Sequence, residues 1–263
     1  MIPDRLQRQR YELKFQIAEA TALGLRDFVR AYLEPDDFAV GARDFSYPVH
    51  SIYLDSEELG LYRATIKGDP NRFKLRVRYY GEAEASPVFF EIKRRLNDCI
   101  RKERAQVRRD RIAALLTGDW PGPDDVVRPD PGQLGSLRRF CEIAAEMQAS
   151  PRSHVAYERE AWVSPGTGAV RVTFDRAVCS EPYASCEPTV RFAEPVEVFP
   201  GRVVLEIKFT DRYPNWIGEM IRAFDLVRSG AAKYAGGIAL AGEDRFCAGA
   251  RLGGVLASGL TFR

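Results

Sequence analysis

The sequence predicts an α+β fold: an antiparallel β-barrel tunnel with helices packed outside. Three observations predict it. Short segments alternate between apolar and charged residues along the 263-residue chain, which is the period of a strand. Their apolar faces are rich in aromatic and branched residues, whereas their polar faces carry Arg, Lys and Glu with few Ser, Asn or Gln. Glu-x-Lys recurs three times, as Glu12 and Lys14, Glu91 and Lys93, and Glu206 and Lys208. A sheet with one solvated face gives the same alternation strand by strand. A barrel accounts for the whole set, because outer helices cover the apolar faces and leave the charged faces pointing inward.

In chain order, residues 9–15 place Arg10, Glu12 and Lys14 on one face and Tyr11, Leu13 and Phe15 on the other. Residues 17–32 follow partial helical spacing through Ile17, Leu23, Leu25, Phe28 and Val29. The strand at 47–55 ends on Tyr53 and Asp55, which organise the strand end and the cap of the next helix. Ser56 caps that helix, which runs through Tyr62 with Glu57 and Glu58 in its first turn. Strands at 73–80, 87–95 and 100–107 are joined by hairpin turns. On them Lys74, Arg76, Arg78 and Tyr80 share a face, as do Glu91, Lys93 and Arg95, and Lys102 and Arg104.

A short helix is expected at 108–117, a Pro- and Gly-rich loop at 119–132 and a helix at 134–147. Strands return at 154–163, 169–178 and 202–210. Arg171, Thr173 and Asp175 share one face of the second, and Glu206 and Lys208 one face of the third. From Pro214 a helix carries Trp216, Ile217, Met220, Ile221, Phe224 and Val227 at helical spacing. Residues 1–245 read as one domain and 246–263 as a Gly/Ala-rich tail.

Composition narrows the function. Thirty-nine Lys and Arg nearly balance 37 Asp and Glu, which argues against a nucleic-acid coat and leaves room for one concentrated basic site. Two histidines, His50 and His154, are too few for a His-rich zinc site and read as structural. Five scattered cysteines without a CxxC pair suit reduced thiols. The N-terminus lacks an apolar signal region and no apolar run reaches membrane-spanning length, so a cytoplasmic location is expected. The basic run at 108–111 reads as a solvated helix start, or as a funnel for polyanions.

So many inward charges require a highly charged ligand, water and metal. Arg and Lys donate to phosphate oxygens, and carboxylates hold a hard divalent cation. No Walker loop or GxGxxG fingerprint is present, so side chains must hold the phosphates. The pattern describes a metal–polyphosphate site.

The ordered segments YELKF, SIYLDS, LRVRYY, FFEIKRR, YEREAW, VRVTFD, VLEIKF and AAKYAGGI resemble the VTC domain. This is the polyphosphate polymerase domain of the vacuolar transporter chaperone family, within the triphosphate tunnel metalloenzyme (CYTH-like) superfamily. The resemblance covers about residues 8–240. It implies a tunnel that binds ATP or another triphosphate and inorganic polyphosphate, with Mn²⁺ or Mg²⁺. By position it implies phosphate-binding roles for Lys14, Arg76, Arg78, Lys93, Lys102, Arg159, Arg171 and Lys233. Arg10, Arg104 and Lys208 extend that basic set on the same strand faces. Glu206 matches the family's metal-binding glutamate, and Glu12, Glu91 and Asp175 are further acidic candidates. Arg76, Arg78, Lys93, Arg171 and Glu206 are the expected catalytic set. Eukaryotic members carry a second lysine just before the position of Lys233, where this chain has Gly230. Polymerase, triphosphatase and non-catalytic polyphosphate-binding module all remain open, because their binding residues overlap.

Overall fold

The computed structural model describes residues 10–40, 42, 44–83, 86–97, 99–166, 168–210 and 213–247, with backbone alone at Arg10 and Cys99. Its strands are β1 (Arg10–Ile17), β2 (Glu34–Pro35), β3 (Ser46–Asp55), β4 (Asn71–Tyr79), β5 (Val88–Leu96), β6 (Cys99–Val107), β7 (Ser150–Val163), β8 (Val170–Pro182), β9 (Val196–Glu197) and β10 (Val203–Thr210). Its helices are α1 (Glu19–Val29), α2 (Gly60–Lys67), α3 (Ile112–Thr117), α4 (Pro131–Glu146), α5 (Asn215–Ala223) and α6 (Lys233–Ala241).

The strand order is β1-β10-β8-β7-β3-β4-β5-β6, with β2 on β7 and β9 on β8. The antiparallel sheet and its helices agree with the predicted class, but the predicted closure does not appear. Among the described residues no pairing joins β1 to β6. Their outer edges are occupied by other parts of the chain. On β1, Phe15 bridges Arg228, the Ser229 N–H donates to the Lys14 carbonyl, and Gln16 Nε2 donates to the Gly230 carbonyl. On β6, Val107 bridges Val126, the Val127 N–H donates to the Gln106 carbonyl, and the Gln106 N–H donates to Gln133 Oε1. A barrel needs a hydrogen-bonded register all the way round, and here both end strands spend edge groups on other segments of the chain.

The chain divides into two compact units. The first comprises Met1–Tyr47, Glu158–Ala177 and Phe199–Ala231. Its core packs Leu13, Phe15, Val172, Phe174, Leu205 and Ile207 from β1, β8 and β10 against Leu25 and Val29 of α1 and Ile217 and Met220 of α5. The second comprises Pro48–Tyr157, Val178–Val198 and Ala232–Arg263. There Ile52, Leu75, Val77, Phe90 and Ile92 of β3–β5 pack with Ile112 and Leu115 of α3 and Leu137, Phe140 and Ile143 of α4. Each such side chain contributes roughly 1.5–3 kcal/mol by leaving water, so the apolar faces fix which side of every strand is covered by helix.

Several helices depart from expectation, among them α6, which the sequence pattern did not announce. The helix expected from Ser56 begins at Gly60 and runs to Lys67, because Leu59 adopts the left-handed region at φ 56° and interrupts the right-handed run. Its first-turn cap is the Asp55 carboxylate, which accepts from the Leu61 and Tyr62 N–H groups at 2.9 Å each. Helix α4 starts at Pro131, inside the expected loop, because Asp130 caps it by accepting from the Gln133 N–H. Helix α5 ends at Ala223, so Val227 falls outside its apolar face and is 80% exposed. Trp216 packs against the core as expected and stacks on Tyr32 at 4.8 Å between ring centroids.

Candidate functional site

The alternating strand faces are enclosed in part: Arg95, Lys102 and Arg104 are exposed, whereas other charges on these faces are buried. Glu91 and Asp175 have no exposed surface, and Glu206, Arg78, Arg159 and Lys233 are buried. Burying charge is tolerable only with partners, and the partners form two clusters, one in each unit.

In the first unit the register sets Lys14 beside Glu206, and Glu206 beside Thr173. Lys14 Nζ reaches Glu12 Oε1 at 3.0 Å and Glu206 Oε1 at 3.3 Å. Lys208 Nζ holds the other Glu206 oxygen at 2.8 Å. Arg159 donates through Nε and Nη2 to both oxygens of Asp175, at 2.6 and 2.7 Å, while its Nη2 lies 3.9 Å from Glu206. Arg171 pairs with Asp36 and also donates to the Tyr47 hydroxyl at 3.2 Å. Burial opposes the charge on Lys14, yet the Glu206 and Glu12 carboxylates outweigh it and raise its pKa above the ordinary ammonium range.

In the second unit one cross-strand row is Arg76, Glu91 and Arg104, and the next is Lys74, Lys93 and Lys102. Arg76 donates to Glu91 Oε2 through Nε at 2.7 Å, with its Nη2 at 2.6 Å from the same oxygen. Lys102 Nζ lies 2.5 Å and Arg104 Nε 3.6 Å from Glu91 Oε1. Arg104 also covers the Phe89 ring. Arg78 donates to the Tyr157 hydroxyl at 2.9 Å, and Lys233 at the start of α6 sits over the Tyr157 ring at 4.9 Å. Burial favours a neutral Glu91, but Arg76, Arg78 and Lys102 override it and hold the carboxyl well below the usual range. Burial is the main cause of the fall of Lys102 to about 7; the Arg76 and Arg78 cations add to it, against Glu91.

The predicted bases Lys14, Arg159, Arg171 and Lys208 therefore share one cluster, and Arg76, Arg78, Lys93, Lys102, Arg104 and Lys233 belong to the other unit. The Arg10 side chain lies outside the described residues, as does most of the predicted tail, residues 248–263. The predicted acids do not gather at one point. Glu12 and Glu206 share Lys14, Asp175 is held by Arg159, and Glu91 belongs to the second cluster. Among the described residues no three His, Cys, Asp or Glu groups are placed to hold a metal ion by themselves. The donor set thus fits a hard cation bound through one or two carboxylates together with triphosphate oxygens, and does not fit an all-protein cage.

Sequence reading missed Asp36 and Tyr47, the partners of Arg171, and gave Tyr53 and Tyr157 no place beside the bases. Tyr157 carried a usable signal, since it lies two residues before Arg159 and shares its strand face. Tyr53 had none without the register that sets it beside Arg76.

Among the described residues no helix is long and apolar enough to cross a membrane. No curated protein matches the chain in a sequence comparison. Among solved structures, it is similar to a candidate adenylate cyclase from Bacillus halodurans, at 11% identity over 85% of this chain and 95% of that one, with a TM-score of 0.46. It is also similar to the PH1819 protein from Pyrococcus horikoshii OT3, at 13% identity over 85% of this chain and 92% of that one, with a TM-score of 0.43. The family model described as the VTC domain matches residues 9–241, which span both charged clusters, and the chain belongs to the VTC domain family.

Proposed function

We propose that the chain is a metal-dependent polyphosphate polymerase. It transfers the γ-phosphate of ATP to a growing polyphosphate chain, in the tunnel that membership of the VTC domain family implies. The observation that carries this reading is the burial of bases on two strands and one helix start of that family: Arg78, Arg159 and Lys233 are only 7–8% exposed. Arg and Lys at such positions suit a ligand with negative charge along its length.

Phosphoryl transfer needs alignment and charge neutralisation more than a protein nucleophile. Arg76, Arg78 and Lys93 grip phosphate oxygens from β4 and β5, with Lys102 and Arg104 beside them on β6 and Lys233 on α6. Lys14, Arg159, Arg171 and Lys208 offer a second set of phosphate donors within the first cluster. The terminal phosphate of the acceptor attacks in line, and the bond to the ADP oxygen breaks. Buried donors stabilise the charge that develops and keep water from competing as the acceptor. Mn²⁺ or Mg²⁺ held at Glu206 would supply Lewis-acid polarisation of the phosphate oxygens.

Incubation of the purified chain with ATP and Mn²⁺ tests the reading. Long polyphosphate on a gel is the expected product. Free phosphate released from triphosphate would mark a triphosphatase instead, and tight binding without turnover a polyphosphate-binding module. Glu206→Gln should abolish metal-dependent turnover, and full activity in that variant overturns the assignment of Glu206.

A further inference from the structure

The second unit contains a buried phenol that the polymerase reading leaves without a task. Tyr53, on β3, is 6% exposed, and the register sets it opposite Arg76. The Nε and Nη2 groups of Arg76 face Glu91. Its remaining terminal nitrogen, Nη1, donates to the Tyr53 hydroxyl at 3.1 Å. Glu91 and Tyr53 thus hold one guanidinium from separate nitrogens, which fixes the plane of a group that recognises phosphate by its fork geometry.

The phenol is itself held. Its ring stacks on Tyr234 at 4.7 Å between centroids and 14° between planes. The Tyr234 hydroxyl donates to Asp55 Oδ2 at 2.7 Å. Asp55 has no exposed surface and is the cap of α2. Tyr234 follows Lys233 in the first turn of α6. A continuous path of contacts therefore runs from the buried Asp55 through two stacked rings to Arg76, and its first ring, Tyr234, follows another predicted phosphate base in sequence.

We propose that Tyr53 is a positioning residue for phosphate, holding Arg76 in place and taking up a proton from solvent when a phosphate chain enters the cluster. This rests on the phosphate-binding reading of the same residues. The charge balance supports it. Burial favours the neutral phenol, but Arg76, Lys74 and Arg78 outweigh it and bring Tyr53 down to about 7. The other charged or titratable groups of the network are Asp55 on β3, Glu91 on β5, Lys102 and Arg104 on β6, Tyr157 on β7, and Lys233 and Tyr234 on α6. In the absence of ligand a phenolate offsets part of the surrounding positive charge. An arriving phosphate supplies that negative charge itself and removes the reason for the phenol to stay ionised. Binding above pH 7 then requires proton uptake, which weakens it as pH rises.

The test is calorimetric titration of the full chain with inorganic triphosphate at pH 6.5 and 8.5. Wild type, Tyr53→Phe and Tyr234→Phe are compared, with thermal melts to confirm folding. The triphosphate and Lys102 also titrate in this range, but they are common to all three proteins, so the ratio of variant to wild-type affinity is the readout. Tyr53→Phe keeps the ring stack and removes only the hydroxyl. Its affinity relative to wild type should rise by roughly 25-fold between pH 6.5 and 8.5, since pH 8.5 lies about 1.5 units above the phenol's pKa and each unit is worth about a factor of ten. Tyr234→Phe should lower the melting temperature and leave that ratio constant. A constant ratio for Tyr53→Phe overturns the inference, as does an equal change in Tyr234→Phe, which would mark a packing effect. A wild type that does not bind triphosphate overturns the phosphate reading, and this inference falls with it; wild-type binding with a constant Tyr53→Phe ratio overturns this inference alone.

Discussion

Asp175 has no solvent-exposed surface, and its carboxylate accepts both forks of Arg159. Such a pair adds little when intact but leaves an uncompensated buried charge when one member is neutralised. Asp175→Asn should therefore lower stability by about 3–5 kcal/mol, read from urea denaturation, and an unchanged midpoint would refute this account of the pair. The sequence showed that Arg171, Thr173 and Asp175 share a strand face. It did not show that Asp175 is taken by Arg159, or that Arg171 is taken by Asp36 and Tyr47. Those partners lie on other elements, at separations that no local spacing encodes. The same holds for Tyr53, whose place beside Arg76 depends on the pairing of β3 with β4.

At the scale of elements, strand positions were legible because a half-buried strand declares itself by a period of two residues. Helix ends were less so. The cap supplied by Asp55 was legible, but the start of α2 at Gly60 is decided by the left-handed backbone of Leu59, which follows from no list of good cap residues. Helix α6 was not anticipated at all, since its Gly236 and Gly237 weaken helix propensity by roughly 1 kcal/mol each. Packing explains one of them. A Cβ at Gly237 would lie 2.2 Å from Ser180 Oγ and 2.4 Å from Ser180 Cβ, so the helix can approach β8 only without a side chain there. Gly237→Ala should destabilise the protein by about 1–3 kcal/mol, as overpacking does. Addition of Ser180→Gly should restore part of the loss, and a double variant no more stable than Gly237→Ala would argue against this contact. Because α6 begins with Lys233, the glycine also bears on where a predicted phosphate base is held.

At the scale of the molecule, acid charges two rings that are buried neutral, and they set a clear window. His50 and His154 are buried, with Nδ1 of one 3.0 Å from Nε2 of the other. Burial holds His50 down at about 4; burial and the neighbouring His50 hold His154 at about 3. The unfolded chain takes up these protons near an ordinary pKa of about 6.5. The stability they contribute is therefore complete above that pH and declines as pH falls from about 6.5 toward 4, by at most about 1.4 kcal/mol per pH unit for each ring. Tyr53 and Lys102, both near 7, change protonation above this window. Urea denaturation at pH 6.5, 5.7 and 5 should show the decline, and a flat profile would contradict it. The sequence by itself determined the antiparallel α+β class, the strand faces and the family, because each is written in a short period or an ordered set of local motifs. Only the tertiary structure decided which of the charged side chains are fully buried, which acid neutralises which base, and that β1 and β6 spend edge groups on other segments of the chain instead of on each other. The physical reason is that burial and ion pairing depend on neighbours from distant parts of the chain, and strand periodicity records which way a side chain points but not what it meets.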